Sequence, residues 1–314
     1  KLFGAGYRFE EQHTPHFIRS QCEDCADALQ AYLQQEACTM VISVHVFSAL
    51  IFTAAKEKYR LSLPGYFVAT DYTCSPGVQD SKPDICFIPE ITLAEEFLCE
   101  NIRFSQLEAS GIPVRQQFYR TVDRKTAKWL SGVPANASHL LMMCGSMGCG
   151  PIEKTAKDLV EKLPENVNVI AVCGSNSALF ESMEKIQNPR LTTLGFTSNI
   201  DEYMDAVDLM ITKPGGLSST EGANKGLPMV FFNLIGACES RNFNYFLSKD
   251  YALGSSAEAE VVELAVELAK DAQRRENMSL ALQKNFCTNS TEEIISHVTA
   301  QIEKQWQKAL AGAL

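Results

Sequence analysis

Positive charge is scarce in this chain. Its 314 residues carry 28 Lys and Arg against 38 Asp and Glu, a formal net charge of −10. No Lys/Arg cluster is large enough to neutralise a run of phosphates, which argues against a nucleic-acid binder while leaving room for a local basic patch. Long apolar runs are missing as well. The longest, residues 41–55, is broken by His45 and two serines and falls short of the ~20 residues that a membrane span requires. Metal-ligand spacing is equally sparse: Cys22-x-x-Cys25 is the only close cysteine pair, and without a second pair or a His partner it is expected to be two residues on a helix rather than a zinc site. No short-period repeat and no obvious basic amphipathic helix occurs, so contact with anionic lipid would have to come from a local patch or another segment. The eleven cysteines are an odd number spread along the chain, several inside apolar runs where Cys behaves as a small hydrophobe; that pattern points to a reduced, cytoplasmic protein.

What is present is enough for two ordinary domains, with 46% apolar residues to fill their cores. Residues 17–36 have helical apolar spacing, 39–44 and 65–70 are strand-like, and 46–59 lies between them as a helix. A third strand is expected at 84–89. Strands alternating with helices in this way predict an α/β fold with parallel sheets, whose ligands sit beyond the carboxyl ends of the strands. His45 and Asp71 both fall at such ends. Each has a plain structural alternative: a hydrogen-bonded structural histidine for one, a turn or helix cap for the other. The more polar stretch 116–134 separates two strand-helix series. The expected organisation is an acceptor-side domain over 1–122, a second domain over 123–290, and a C-terminal helix over 291–314 returning toward the first. In that helix Ile294, Val298, Ile302 and Trp306 recur at four-residue intervals.

The second series carries the more pointed signals. A strand at 139–144 runs into Gly145-Ser146-Met147-Gly148-Cys149-Gly150, with Pro151 suited to the first turn of the next helix. Such a glycine turn is weak evidence alone, because it serves equally as a tight strand-to-helix connection. The strand 167–173 leads to Gly174-Ser175-Asn176, and 191–194 to Gly195-Phe196-Thr197. The strand ending at Thr212 meets Lys213-Pro214-Gly215-Gly216, after which Ser218, Ser219 and Thr220 stand in the first turn of a helix. Free N–H groups at such a helix start, together with its dipole, make an anion seat. Glu221 follows; a carboxylate there suits a ligand with hydroxyls beside its phosphate, such as a nucleotide ribose. A further strand, 229–232, delivers residues 233–239 to the same sheet edge.

The ordered motifs Gly145-Ser146-x-Gly148, Cys173-Gly174-Ser175-Asn176, Gly195-Phe196-Thr197-x-Asn199-Ile200, Thr212-Lys213-Pro214-Gly215-Gly216-x-Ser218-x-Thr220-Glu221, Gly226-Leu227-Pro228 and Glu239-x-x-Asn242 resemble those of family 28 glycosyltransferases. The likeness spans residues 38–255 and is greatest toward the diacylglycerol enzymes, monogalactosyldiacylglycerol synthases and processive glucosyltransferases. It implies a GT-B architecture: two Rossmann-like domains with parallel sheets facing across a cleft, the N-terminal one incomplete here. The implied donor is a UDP-sugar, held without a metal or other cofactor. Gly195, Phe196 and Thr197 would lie against the base, and Glu221 on the ribose. Gly145, Ser146, Gly148, Gly215, Gly216, Ser218, Ser219 and Thr220 would hold the diphosphate, with Asn176 nearby and Glu239 and Asn242 at the sugar or adjoining phosphate.

The resemblance further implies inverting transfer of a hexose to a lipid acceptor such as diacylglycerol, by a protein resting peripherally on the cytoplasmic membrane face. Two departures stand out. No GGGH-like segment is found in the sequence, which leaves His45, narrowly ahead of Asp71, as candidate general base. Gly236-Ala237-Cys238-Glu239 also replaces a Gly-Gln-Glu run, which leaves glucose, galactose and N-acetylglucosamine all open as donor sugars. A UDP-sugar epimerase on the same fold, or a nucleotide-sugar-binding subunit without its own catalytic loop, remains an alternative.

Overall fold

The computed structural model describes residues 22, 24–145, 147–148, 150–232 and 237–312. They form two compact units, Lys1–Pro113 with Thr288–Leu314, and Val114–Cys287.

In the first unit a helix over residues 24–35 (α1) precedes β1 (Val41–Ser43), α2 (Val46–Tyr59), β2 (Gly65–Val68), β3 (Ile85–Ile88), the single turn α3 (Ala94–Phe97) and β4 (Leu107–Ala109). The sheet order is β1-β2-β3-β4, parallel throughout. Strands buried on both faces read as unbroken apolar runs, and the four residues of β2 are all buried. Phe67, Cys86 and Ile88 pack on one side with Ala49 of α2 and Phe97 of α3. Tyr66, Val68 and Phe87 pack on the other with Ile294 and Val298 of the last helix, α12 (Ser290–Gly312). The side chain of Trp306 lies outside the described residues. Gly111 adopts φ +80, and an added Cβ would stand 2.3 Å from Ser290 Oγ, so the start of α12 is seated where only glycine leaves room.

The second unit begins with the single-turn helix Gln116–Tyr119 and α4 (Arg124–Leu130), which occupy the polar stretch that sequence reading treats as a junction. Its sheet is built from β5 (Ser138–Met143), β6 (Val167–Val172), β7 (Leu191–Leu194), β8 (Leu209–Thr212), β9 (Met229–Phe232) and β10 (Ala252–Ser255). The order is β10-β9-β8-β5-β6-β7, all parallel. The connecting helices are α5 (Ile152–Lys162), α6 (Ser177–Glu184), α7 (Ile200–Ala206), α8 (Gly216–Asn224) and α9 (Ala237–Ser248), with α10 (Glu258–Lys270) and α11 (Ala272–Asn285) closing the unit.

Side-chain alternation assigns the helices to faces. Leu209, Ile211, Val230 and Phe232 pack with Ile152 and Leu159 of α5 and Val261 and Ala265 of α10. Met210, Met229 and Phe231 point the other way. A Cβ on Gly222 of α8 would meet Met210 Cε at 2.7 Å and Met229 Sδ at 3.0 Å, and the Phe231 ring lies 5.5 Å from that of Phe246 on α9. Glycine at position 222 thus lets α8 lie hard against β8 and β9, which fixes where its N-terminus points.

Candidate functional site

From β5 the chain winds outward through β6 and β7, then returns to the middle and winds the opposite way through β8, β9 and β10. The reversal falls between β5 and β8. In open parallel sheets ligands bind in the crevice outside the carboxyl ends of the strands at this switch point. Two loops flank it here: residues 144–151 after β5, and Lys213-Pro214-Gly215 after β8.

These loops meet through one side chain. An added Cβ on Gly145, whose φ is +75, would lie 3.2 Å from Lys213 Cε, and one on Gly215 would lie 3.7 Å from the same carbon. The Lys213 stem therefore crosses the switch point. Its ammonium is 2.6 Å from Glu239 Oε1, while Glu239 Oε2 is buried without a hydrogen-bond partner. A buried carboxylate oxygen left unsatisfied is costly, and this one sits in the first turn of α9, beside the anion seat. Asn242, fully buried, donates from Nδ2 to the Pro214 carbonyl at 3.0 Å and so holds the β8 loop from behind. Lys213 went without a role in the sequence reading; its position directly before Pro-Gly-Gly at a strand end is the signal that could have found it.

The start of α8 is an open N-terminus. Gly215 is its N-cap and supplies no side-chain acceptor, and no acid stands in the first turn, so N–H groups of Gly216, Leu217 and Ser218 carry the positive end of the dipole. The three neighbouring hydroxyls do not converge. Consecutive helical residues point about 100° apart at 3.6 residues per turn, and the structure follows that rule. Ser218 is half-buried; Ser219 is fully buried with an unpartnered hydroxyl; Thr220 donates its hydroxyl to the Gly216 carbonyl at 2.7 Å. Of the three hydroxyls only that of Ser218 is left partly open, beside the backbone N–H groups and the exposed Leu217.

Ser146 and residues 233–236 lie outside the described residues. Gly148 has φ +56, and an added Cβ would stand 2.1 Å from the Cys173 carbonyl oxygen; the β5 loop is pressed onto the end of β6. Asn176 joins the same contact. It caps α6 by accepting from Leu179 N at 3.0 Å and donates to the Gly148 carbonyl at 3.3 Å. For Gly148 and Asn176 the geometry is that of a clamp between two loops.

At the far side of α8, Glu221 has 16% of its side chain exposed and lies 4.0 Å from the Arg115 guanidinium. Burial pushes its carboxyl up to about 7, with Arg115 opposing and Asp201 reinforcing the rise. After β7, Gly195 is followed by Phe196, which leaves 73% of its surface in solvent, an aromatic face available for stacking. Thr197 Oγ1 accepts from Asn199 N at 3.2 Å and stiffens this loop. Behind the site, Lys225 at the end of α8 pairs with Asp205 of α7 at 2.7 Å, both side chains 1% exposed, and also donates to the Arg120 carbonyl.

An uncapped helix start, a lysine across the switch point, a half-buried acid and an exposed aromatic ring thus share one sheet edge. Residues 139–298 match the glycosyltransferase family 28 C-terminal domain, and residues 1–114 match monogalactosyldiacylglycerol (MGDG) synthase. The chain belongs to glycosyltransferase family 28. A processive diacylglycerol beta-glucosyltransferase of Bacillus licheniformis is 27% identical over 280 residues, covering 86% of this chain and 72% of its own. Among solved structures, MurG of Acinetobacter baumannii superposes with a TM-score of 0.67 at 15% identity over 89% of this chain and 78% of that one. S. aureus MnaA, solved with UDP, gives 0.67 at 15% over 92% and 83%. The α/β fold of this glycosyltransferase is accordingly GT-B in its two parallel-sheet units.

In the first unit of the glycosyltransferase, His45 and Asp71 follow the carboxyl ends of adjacent strands β1 and β2. His45 is exposed and caps α2, its Nδ1 accepting from Phe47 N at 3.2 Å. A neutral ring bonded in this way carries its proton on Nε2, so neither nitrogen has a lone pair to spare while the cap holds. Asp71 is half-buried in a loop anchored by Glu96, which accepts from Thr73 Oγ1 at 2.8 Å and Cys74 N at 3.4 Å. Among the described residues no helix is long and apolar enough to cross a membrane.

Proposed function

We propose that this family 28 chain transfers a hexose from a UDP-sugar to a lipid acceptor of the diacylglycerol class, with inversion at the anomeric carbon, on the cytoplasmic membrane face. The observation that carries the donor half is the conjunction at the β5/β8 switch point of the uncapped α8 N-terminus with Lys213. The acceptor class rests on the relatives' chemistry.

The diphosphate sits on the N–H groups of Gly216, Leu217 and Ser218, with the backbone at Gly145 and Gly215 alongside. Lys213 and the helix dipole stabilise the charge that grows on the leaving phosphate. Glu239, whose second oxygen lacks a partner, accepts from a sugar hydroxyl; Asn242 and Asn176 support the loops. Glu221 takes the ribose hydroxyls, and Phe196 and Thr197 lie against the base.

On the acceptor side Asp71, a carboxylate beyond the end of β2, is taken as general base, with His45 as the other candidate. The acceptor O–H gives its proton to the Asp71 carboxylate as its oxygen bonds to the anomeric carbon from the face opposite UDP. The bond from that carbon to the phosphate oxygen breaks, and its electron pair leaves with UDP. Incubation with UDP-glucose, UDP-galactose or UDP-N-acetylglucosamine and diacylglycerol in mixed micelles tests the reading. It predicts equal yields of UDP and a β-linked glycosyl-diacylglycerol; free sugar or an epimerised donor formed without acceptor would replace it with the epimerase alternative.

A further inference from the structure

The nucleoside end of the site is shaped by a segment outside every motif named so far. Val114 opens the second unit, and its N–H donates to Tyr119 Oη at 3.0 Å, closing a turn over Gln116–Tyr119. Two side chains leave that turn for two different parts of the site. The Arg115 guanidinium lies 5.0 Å above the ring of Phe118, which is fully buried, and reaches Glu221 Oε1 at 4.0 Å. The Gln117 amide donates to the Ser198 carbonyl at 3.3 Å and to Asp201 Oδ1 at 2.9 Å, tying the loop after β7 and the start of α7.

The charges acting on Glu221 come from two elements, Arg115 on the turn and Asp201 on α7, and they oppose each other. Arg115 favours the carboxylate and Asp201 disfavours it. Gln117 binds Asp201, while Arg115 faces Glu221 itself. A carboxylate accepts from both hydroxyls of a ribose diol, whereas a protonated acid has lost part of that capacity. The cation–π contact with Phe118 also restrains the guanidinium relative to a free side chain.

We propose that Arg115 and Gln117 are positioning residues for the nucleoside end of the donor: Arg115 by pairing with the ribose-facing Glu221, and Gln117 by holding the Gly195–Asn199 loop on which the base rests. The proposal rests on the UDP-sugar reading above. It makes the enzyme's preference for ribose over deoxyribose depend on a residue that contacts the acid rather than the nucleotide.

Calorimetric titration with UDP and 2′-deoxy-UDP across pH is the test, because the phosphate titration common to both ligands cancels in the ratio of their dissociation constants. In the unaltered chain UDP is expected to bind about tenfold tighter than 2′-deoxy-UDP above neutrality, the scale of one hydrogen bond to a charged group. The ratio should fall toward unity as Glu221 takes up its proton. Arg115→Met shifts that fall to higher pH and lowers the ratio at neutrality, with recovery under more alkaline conditions; Arg115→Lys restores much of the original profile. Gln117→Ala weakens both ligands by a similar factor and leaves the ratio alone. An Arg115→Met profile that superposes on the original, in a protein where Glu221→Gln abolishes the preference, overturns the proposal and leaves the donor reading standing. Absence of UDP binding to the unaltered chain overturns both.

Discussion

Lys213 and Glu239 are bound across the sheet's switch point, Nζ to Oε1 at 2.6 Å, while the other Glu239 oxygen is buried with no partner. The carboxylate screens the lysine whose stem approaches both glycine loops. A diphosphate placed on the α8 N-terminus competes for the same ammonium, and a sugar hydroxyl offers the orphaned oxygen its missing hydrogen bond.

On the proposed donor reading, the pair should separate phosphate recognition from sugar recognition. Lys213→Gln is expected to weaken UDP and UDP-hexose alike, by about ten- to a hundredfold, the range for a charged hydrogen bond. Glu239→Gln keeps the shape and removes the counter-charge. It should leave UDP bound as well as before or better, while UDP-hexose loses about tenfold. Calorimetry on the two variants with the two ligands reads all four values; a common loss in both would show that the pair is only a brace.

His45 and Asp71 are told apart by a substitution that keeps the cap. Asparagine is as good an N-cap as the residues usually found there, so His45→Asn preserves the hydrogen bond to Phe47 N and should retain transfer within about twofold. Asp71→Asn should lower kcat by about a hundredfold or more, the ordinary contribution of a general base, without changing UDP affinity. A loss confined to His45→Asn would return the base to the histidine.

Gly148 offers a stability test. Its φ of +56 and the 2.1 Å approach of an added Cβ to the Cys173 carbonyl predict that Gly148→Ala costs more than the ~1 kcal/mol of a left-handed alanine alone. Gly132, with φ +67 and nothing within 4 Å of its would-be Cβ, isolates the backbone part. Thermal denaturation of the two variants should show a clearly larger drop for Gly148→Ala, together with weaker UDP binding.

His139 predicts part of the acid response. Its ring is 1% exposed; burial lowers its pKa, Lys128 lowers it further, and Asp208 and the Ala137 backbone oppose them. The folded state therefore keeps the neutral ring where the unfolded chain takes up a proton. Stability is fully present above the ordinary histidine range and falls as pH drops through it toward the lowered folded value. Chemical denaturation at several pH values should show this slope in the unaltered chain and its reduction in His139→Phe.

Most strands of both sheets were legible because buried parallel strands are continuous apolar runs, as in Met229–Phe232, which matches its expected bounds to the residue; the less buried Leu191–Leu194 also matches, whereas the three-residue β4 (Leu107–Ala109), buried only at Leu107, was not anticipated. β10 escaped because Gly254 weakens its pattern. That glycine exists for packing, since an added Cβ would lie 2.5 Å from the Phe243 ring. The helix over Ala237–Ser248 was likewise not anticipated; it is held partly through aromatic contacts among Tyr245, Phe246 and Tyr251. The anion seat was legible as a strand, a glycine turn and a helix start. Which hydroxyls face it was not, because that depends on helical phase: Ser219 turns into the interior and Thr220 back onto its own helix. Arg115 and Gln117 were invisible for a different reason. Their roles come from a turn folding onto side chains more than eighty residues away along the chain, and no local motif records that.

The central claim is that a nucleoside diphosphate binds at the carboxyl edge of the second sheet, on the start of α8. Backbone amide NMR during a UDP titration tests it most directly. The account predicts saturable shifts at Gly216, Leu217 and Ser218, at Gly145, and at Gly195 to Thr197, all with one dissociation constant. Shifts confined to other parts of the chain, or no saturable shift at Gly216 to Ser218, would contradict it.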